Sequence, residues 1–376
     1  MTVVGRLLVC VLVLSACGDL GVSRAGASDA NTTPDPHFGF VVSQLDGLSV
    51  TPEPGRAWQP FPDNSSDAHG GVPTVSPDGR LVAYWYAPGK YGPARPRELR
   101  VRDVINGTTL TIFREDPNSL PSSGGAVAWA SDSSGLVFAE VDLPFIRRGL
   151  LASSTATLWL TDTKGATPRR LTISNAGFGA VTPIGWDRGS RVVAAVQGNV
   201  VFAVHENGSV EQQTLPSDTS VLAAKTAWSA THAMVSSIEF VPCGSGDLCR
   251  GLRVWRISDP AAANVYMPSS GDTVMDTAFL PGTTDILVLL RRGDTDARLE
   301  RWANFGGGAR RVLYSFNYGW DLAVRADGTA VIISSLGRYF ATPPPAYLID
   351  PQTGQATTLN LGAASYSLGL VSVRLR

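Results

Sequence analysis

The sequence predicts an all-β chain: a single β-propeller of seven four-stranded blades, with six as the alternative count, closed by its C-terminal strand. Three observations predict it. A strand–turn–strand pattern recurs along the chain, a second hairpin follows each copy, and the leftover segments at the two ends match the parts of one more unit.

The first hairpin of each unit has an apolar anchor, a tight polar turn and a β-branched or aromatic run. "VSPDGRLVAYWY" (75–86), "WASDSSGLVFAEV" (129–141) and "WDRGSRVVAAV" (186–196) are the first three copies. "WSATHAMVSSIEF" (228–240), "FLPGTTDILVLL" (279–290) and "VRADGTAVIISS" (324–335) complete the six. Turn residues between two such runs mark a hairpin. The anchors Val75, Trp129, Trp186, Trp228, Phe279 and Val324 lie 54, 57, 42, 51 and 45 residues apart. Propeller blades repeat every ~40–50 residues.

The second hairpin alternates apolar and polar residues on both sides of a turn. It reads "LRVRDVINGTTLTIF" (99–113), "LWLTDTKGATPRRLTI" (158–173) and "VFAVHENGSVEQQTL" (201–215) in the first three units. "LRVWRISDPAAANVYM" (252–267), "RLERWANFGGGARRVLY" (298–314) and "AYLIDPQTGQATTLNL" (346–361) follow. Two hairpins make a four-stranded antiparallel sheet, which is one blade. Runs such as "RVVAAV" and "DILVLL" are apolar throughout, as strands covered on both faces require. At the ends, "FGFVVS" (38–43) and "LSVTPEPGRAWQPF" (48–61) read as three strands of a seventh unit, and "LGLVSVRLR" (368–376) as its inner strand.

Ser76-Pro77-Asp78-Gly79 followed by Val82-Ala83-Tyr84 resembles the TolB-type (WD40-like) propeller repeat, a Ser-Pro-Asp-Gly turn before an Ile/Val-Ala-Phe/Tyr strand. Ser131-Asp132 with Gly135 and Val137-Phe138 matches in part, and Ala326-Asp327-Gly328 more weakly. The resemblance covers most of residues 40–376. It implies a fold and no single activity, because propellers host many.

Residues 1–16 read as a signal peptide, with Arg6 before an apolar run from Leu7 to Leu14. That length suits a secretory h-region of about 7–15 residues, not a bilayer span of about 20. Leu14-Ser15-Ala16-Cys17 resembles a bacterial lipobox, and the resemblance implies cleavage after Ala16 and lipid on Cys17. An ordinary secretory signal with a chance cysteine is the other reading. Two or three acyl chains anchor stably, so the expectation is a membrane-attached protein facing outside the cytoplasm. Residues 17–36 are small and polar, a flexible tether, and residues 37–376 form the propeller domain.

A net charge of −1 and a pI near 6.4 argue against a nucleic-acid partner. Outside the cytoplasm, Cys243 and Cys249 in "VPCGSGDLCR" are expected to form a disulfide; a metal site lacks a second cysteine pair or a nearby histidine.

In a four-strand meander, the first and third turns share one face, and the second turn shares the other with the link between blades. The long connections, 87–98, 143–156, the Cys243–Cys249 loop and 336–346, all fall on the second face. They carry Tyr91, Arg95, Arg97, Phe145, Arg147, Arg148, Tyr339 and Phe340. Arginine and aromatics are enriched at interfaces, and long loops on rigid scaffolds are where binding concentrates. These eight residues are the candidate contacts to a protein or envelope glycan; drifting surface loops without a partner are the bland reading.

Catalytic signals are sparse. The four histidines His37, His69, His205 and His232 are scattered, and no nucleophile elbow or phosphate loop occurs. Asp116, Asp218, Asp272, Asp276 and Asp321 are placed to ring the channel and take Ca²⁺, although Asp is also ordinary loop chemistry. The expectation is a non-catalytic binding module without metal or cofactor. The alternative is an enzyme acting on a sugar or lactone at the channel mouth.

Overall fold

A computed structural model describes residues 38–44, 47–51, 59–60, 69–70, 73–87, 97–115, 126–140, 156–173, 181–215, 220–229, 231–242, 248–269, 271–293, 296–317, 319, 321–329, 331–334, 346–359 and 369–374. Seven antiparallel sheets are formed among them, with no α-helix.

Sheet I joins β1 (Phe38–Gln44), β2 (Gly47–Thr51) and β3 (Gln59–Pro60) to the last strand, β29 (Gly369–Arg374). Sheet II holds β4 (His69–Gly70), β5 (Thr74–Val75), β6 (Leu81–Ala87), β7 (Glu98–Asp103) and β8 (Thr108–Arg114). Sheet III holds β9 (Val127–Trp129), β10 (Gly135–Glu140), β11 (Ala156–Asp162) and β12 (Arg169–Ile173). Sheet IV holds β13 (Thr182–Asp187), β14 (Val192–Gln197), β15 (Val200–His205) and β16 (Val210–Thr214). Sheet V holds β17 (Ser220–Ser229), β18 (Met234–Pro242), β19 (Leu248–Arg256) and β20 (Asp259–Tyr266). Sheet VI holds β21 (Asp272–Phe279), β22 (Ile286–Arg292), β23 (Asp296–Trp302) and β24 (Arg310–Asn317). Sheet VII holds β25 (Asp321–Val324), β26 (Val331–Ser334), β27 (Ala346–Ile349) and β28 (Ala356–Leu359).

Sheets II to VII each use consecutive strands, as the paired hairpins anticipate. Sheet I does not. Its β1 pairs with β2 on one side and β29 on the other, with Phe38 opposite Arg374 and Ser43 opposite Gly369. The first strands of neighbouring sheets adjoin in chain order from β5 to β25, and β29 adjoins both β25 and β5. A parallel bridge between Ala130 and Trp186 shows that sheets III and IV run the same way.

The core lies between the sheets. Leu99, Val101, Trp129, Leu136 and Phe138 fill the space between sheets II and III. Ile238, Leu252, Val254, Ile286, Val288 and Trp302 do the same between V and VI. The second strands β14 and β22 therefore meet apolar groups on both faces, and Val193 to Val196 and Ile286 to Leu289 have no measurable exposure. Removing each valine, leucine or isoleucine side chain among them from water contributes about 1.5–3 kcal/mol, and each alanine methyl under about 1 kcal/mol.

Two of the tryptophan anchors have a specific seat. Trp186 lies on Gly135 of sheet III, where a Cβ would come within 2.8 Å of its Cζ3. Trp228 lies on Gly185 of sheet IV, where a Cβ would stand 2.7 Å from both Cδ1 and Cδ2. Trp129 instead reaches back to sheet II, donating from Nε1 to Thr74 Oγ1 at 3.1 Å.

The first turns of the sheets follow one backbone rule. Each of sheets II to VII has a residue at positive φ there: Gly79, Ser133, Arg191, Ala233, Gly282 and Gly328. Asp supplies the rest of the turn. Asp78, Asp132, Asp187 and Asp327 each accept, on Oδ1, the N–H two residues on, at 3.0–3.1 Å. This is why aspartate and glycine recur in the repeat.

Candidate functional site

The antiparallel order sorts the connections by face. β6, β10, β18 and β26 all end at one edge of the sheets, and in sequence they are followed by residues 88–96, 141–155, 243–247 and 335–345, which lie outside the described residues. The opposite edge carries the tight first and third turns, and these lace neighbouring sheets together. Asp78 N donates to Ser133 Oγ at 3.0 Å, Ser131 N to Trp186 O at 2.9 Å, and Arg374 N to Gly79 O at 2.7 Å. Arg301 and Arg311 of sheet VI grip Gln352 of sheet VII.

Of the eight residues expected to contact a partner, Arg97 is described. Tyr91, Arg95, Phe145, Arg147, Arg148, Tyr339 and Phe340 lie outside the described residues, as do Cys17 and Cys243. Arg97 sits at the base of the segment 88–96, half-buried. Its Nε donates to Glu115 Oε2 at 3.1 Å, and its guanidinium stands 5.9 Å from the Trp85 ring centroid. Glu115 is 4% exposed, so this pair staples the end of β8 to the start of β7. Arg97 thus holds the root of the segment, a role its sequence position did not disclose.

Similar contacts recur at this root and at one other, and also on the opposite edge, where Arg188 stands 5.0 Å from the Trp186 ring and Arg310 3.8 Å from the Trp302 ring. Arg100 stacks on Tyr86 with 3.6 Å between guanidinium and ring centroid. Arg250 lies 5.5 Å from the Phe240 ring beside the segment 243–247. Phe240 and Arg250 are direct cross-strand partners, and Cys249 stands opposite Val241. Guanidinium over an aromatic face is attractive by about 0.5–2 kcal/mol.

Two charged networks brace this edge. Glu98 accepts from Arg100 at 2.7 Å and Arg114 at 2.6 Å. Asp272 accepts from Arg298 at 2.6 Å and Arg292 at 2.8 Å. Arg298 continues to Glu300 at 2.5 Å, and Glu300 takes the Nε1–H of buried Trp302 at 2.7 Å. Hydrogen bonds from Arg298 hold the Asp272 carboxyl below its usual range, against burial and with help from Arg292. Burial pushes Glu98 up, but Arg100 and Arg114 outweigh it and the net shift is downward.

A carboxyl lowered in the folded state stabilises the fold above its unfolded value, near 4, and that contribution is lost as pH falls through the folded value. The melting temperature should therefore drop as pH goes from about 5 to 3. Asp272→Asn should start lower and fall less steeply. An unchanged slope in that variant would show that Asp272 does not contribute.

The acidic residues considered for a channel cation are otherwise engaged where described. Asp276 takes Thr277 N and Leu322 N, both at 2.9 Å, and so joins sheet VI to sheet VII. Asp272 is held by arginines as above, and Asp116 and Asp218 lie outside the described residues. Among the described residues no group of three or more His, Cys, Asp or Glu could hold a metal ion. His205, on sheet IV, contacts Glu211 at 2.9 Å, and His232, in the first turn of sheet V, contacts Ser229 at 3.3 Å; each bonds within its own sheet. No described helix is long and apolar enough to cross a membrane.

No protein-family model matches the chain, and no curated protein matches it in sequence. Solved structures do resemble it. A prolyl endopeptidase structure superposes with a TM-score of 0.58 at 14% identity over 87% of this chain, which spans about half (49%) of that protein. The periplasmic gluconolactonase PpgL of Pseudomonas aeruginosa gives 0.55 at 13% identity, covering 90% of this chain and 99% of that one. A chain of the mitotic checkpoint complex gives 0.52 at 13% identity, covering 88% and 96%. At such identities the likeness concerns the fold alone. The antiparallel four-stranded sheets and these superpositions agree: the chain is a β-propeller.

Proposed function

We propose that the protein is a lipid-anchored, extracytoplasmic propeller that binds a protein or an envelope glycan through the face bearing the long segments. In this reading Cys17 carries the lipid, residues 18–36 form the tether, and seven blades close through β29 and β1. Cys243 and Cys249 pair across the end of the β18–β19 hairpin and shape one of the binding segments. The observation that carries the reading is the division of the two edges. On one edge turns are bonded to neighbouring sheets; on the other, the connections of sheets II, III and VII run over 88–96, 141–155 and 335–345, and arginine lies over an aromatic ring at the roots of 88–96 and 243–247. A rigid base with an arginine and aromatic rim is the composition of a recognition surface. The role is non-catalytic, and sugar or lactone hydrolysis at the channel mouth is the competing outcome.

The test is cross-linking capture from envelope membranes with two variants alongside the parent. Cys17→Ser should leave the membrane fraction and lose lipid labelling. Phe145→Ala/Arg147→Ala/Arg148→Ala should keep its melting temperature and lose the captured species. Capture that ignores the triple variant, or turnover of a lactone or glycoside above background, would overturn the binding reading.

A further inference from the structure

The edge opposite the long segments contains a cleft of about 390 Å³ between sheets III and IV, lined by Arg169, Ser190, Arg191, His205, Glu206 and Asn207. Its charges are unevenly used. Arg169 donates to the Glu206 carbonyl at 2.6 Å and to Glu206 Oε2 at 3.2 Å, while Trp186 Nε1 takes Glu206 Oε1 at 3.0 Å. Each oxygen of the one carboxylate in the lining thus accepts one donor, and its charge is paired with Arg169. Glu211 bonds His205 at 2.9 Å from outside the lining, and its side chain is 69% exposed, so water screens it. Arg191 is different. Its side chain is exposed, and its guanidinium makes no hydrogen bond or ion pair with any described residue.

Its backbone follows the first-turn rule of the other sheets without the glycine that three of them use, as Ser133 and Ala233 also do. Arg191 has φ of 57°, the left-handed conformation that sheets II, VI and VII assign to glycine in their first turns. An L side chain there is strained, and this one is exposed. Asn207 completes the picture: its Oδ1 accepts Ser209 N at 2.9 Å and Ser209 Oγ at 2.8 Å. Its amide N–H groups are left without a described partner, as donors at the rim.

We propose that this cleft binds the oxyanion of a small polar ligand of about monosaccharide size, with Arg191 as its principal charge partner. Arg169, ion-paired with Glu206, supplies a second guanidinium, and Asn207 offers neutral N–H donors; the Ser190 hydroxyl would have to turn from Asp187 O, 3.5 Å away, to add another. A guanidinium presents parallel N–H groups that match a carboxylate or a phosphate oxygen pair. The two sources of such an oxyanion are a sugar acid and a phosphate ester. This site is separate from the long-segment face, and its failure would leave that reading intact.

The test titrates the full chain in detergent with glucuronate, inorganic phosphate and neutral glucose, followed by calorimetry. Glucuronate or phosphate should saturate, and glucose should not; which anion binds identifies the source. Arg191→Gly should weaken that binding by about tenfold or more, yet raise the melting temperature by relieving the turn. Arg191→Lys should retain part of the binding. No saturation by either anion, binding unchanged in Arg191→Gly, or a lower melting temperature in that variant would each overturn the proposal.

Discussion

Deleting residues 368–376 should abolish cooperative thermal unfolding and leave an aggregating chain, although only the last nine residues are lost. β29 pairs with β1 along its full length, and Val373 is buried with Val41, Val82 and Tyr84 between sheets I and II. Without it, β1 presents an unpaired edge, and the faces of its neighbours lose their cover. The bond from Arg374 N to Gly79 O, at 2.7 Å, also ties this strand to the first turn of sheet II. Deleting residues 18–30, which have no apolar periodicity, should leave the melting temperature where it was. Scanning calorimetry of both truncations decides the matter. A C-terminal deletion that melts within about two degrees of the parent would show that β29 contributes only ordinary terminal fraying.

Gly185→Val should destabilise the domain by about 3 kcal/mol, the upper range for overpacking a filled core. The first atom of the new side chain would fall 2.7 Å from two atoms of the Trp228 ring, well inside contact distance. That ring is wedged between sheets IV and V by Val192, Ala194 and Val235, so it has little room to retreat. Gly189→Ala is the matched control, because its Cβ would meet only the side-chain Asp187 Oδ1, at 3.3 Å. Urea unfolding of the two variants should separate by most of the predicted difference. Equal midpoints would mean that the tryptophan shifts freely.

Much of the fold was readable because strand pairing here is local. Hairpins such as 81–103 and 286–302 declare themselves by alternation around a turn. What the sequence did not display was backbone conformation. The Gly of the Ser-Pro-Asp-Gly turn marks a left-handed residue in sheet II, but Ser133, Arg191 and Ala233 adopt the same φ without glycine. No propensity announces it. The tryptophans were legible as anchors, whereas the glycines beneath them lie about 43–51 residues earlier, out of reach of any local pattern.

The candidate surfaces divide in the same way. The long connections and their arginine and aromatic content are visible as spacing and composition. The Arg97–Glu115 staple is not, because it depends on the register of β7 against β8. The cleft around Arg191 is less visible still. Its lining comes from 169, 190–191 and 205–207, three turns or strand ends that only the stacking of two sheets brings together.

The pairing of β1 with β29 also orders events in time. Val41 meets Val371, 330 residues away, while every other sheet joins strands that are neighbours in the chain. Six sheets can form as the polypeptide emerges; the first strand waits until the last is made. Loop closure grows costly only slowly with length, so the long span limits the rate more than the final stability. A translation product that stops before residue 369 leaves β1 with an open strand edge on the side that β29 pairs, and such an edge is open to misassembly and proteolysis.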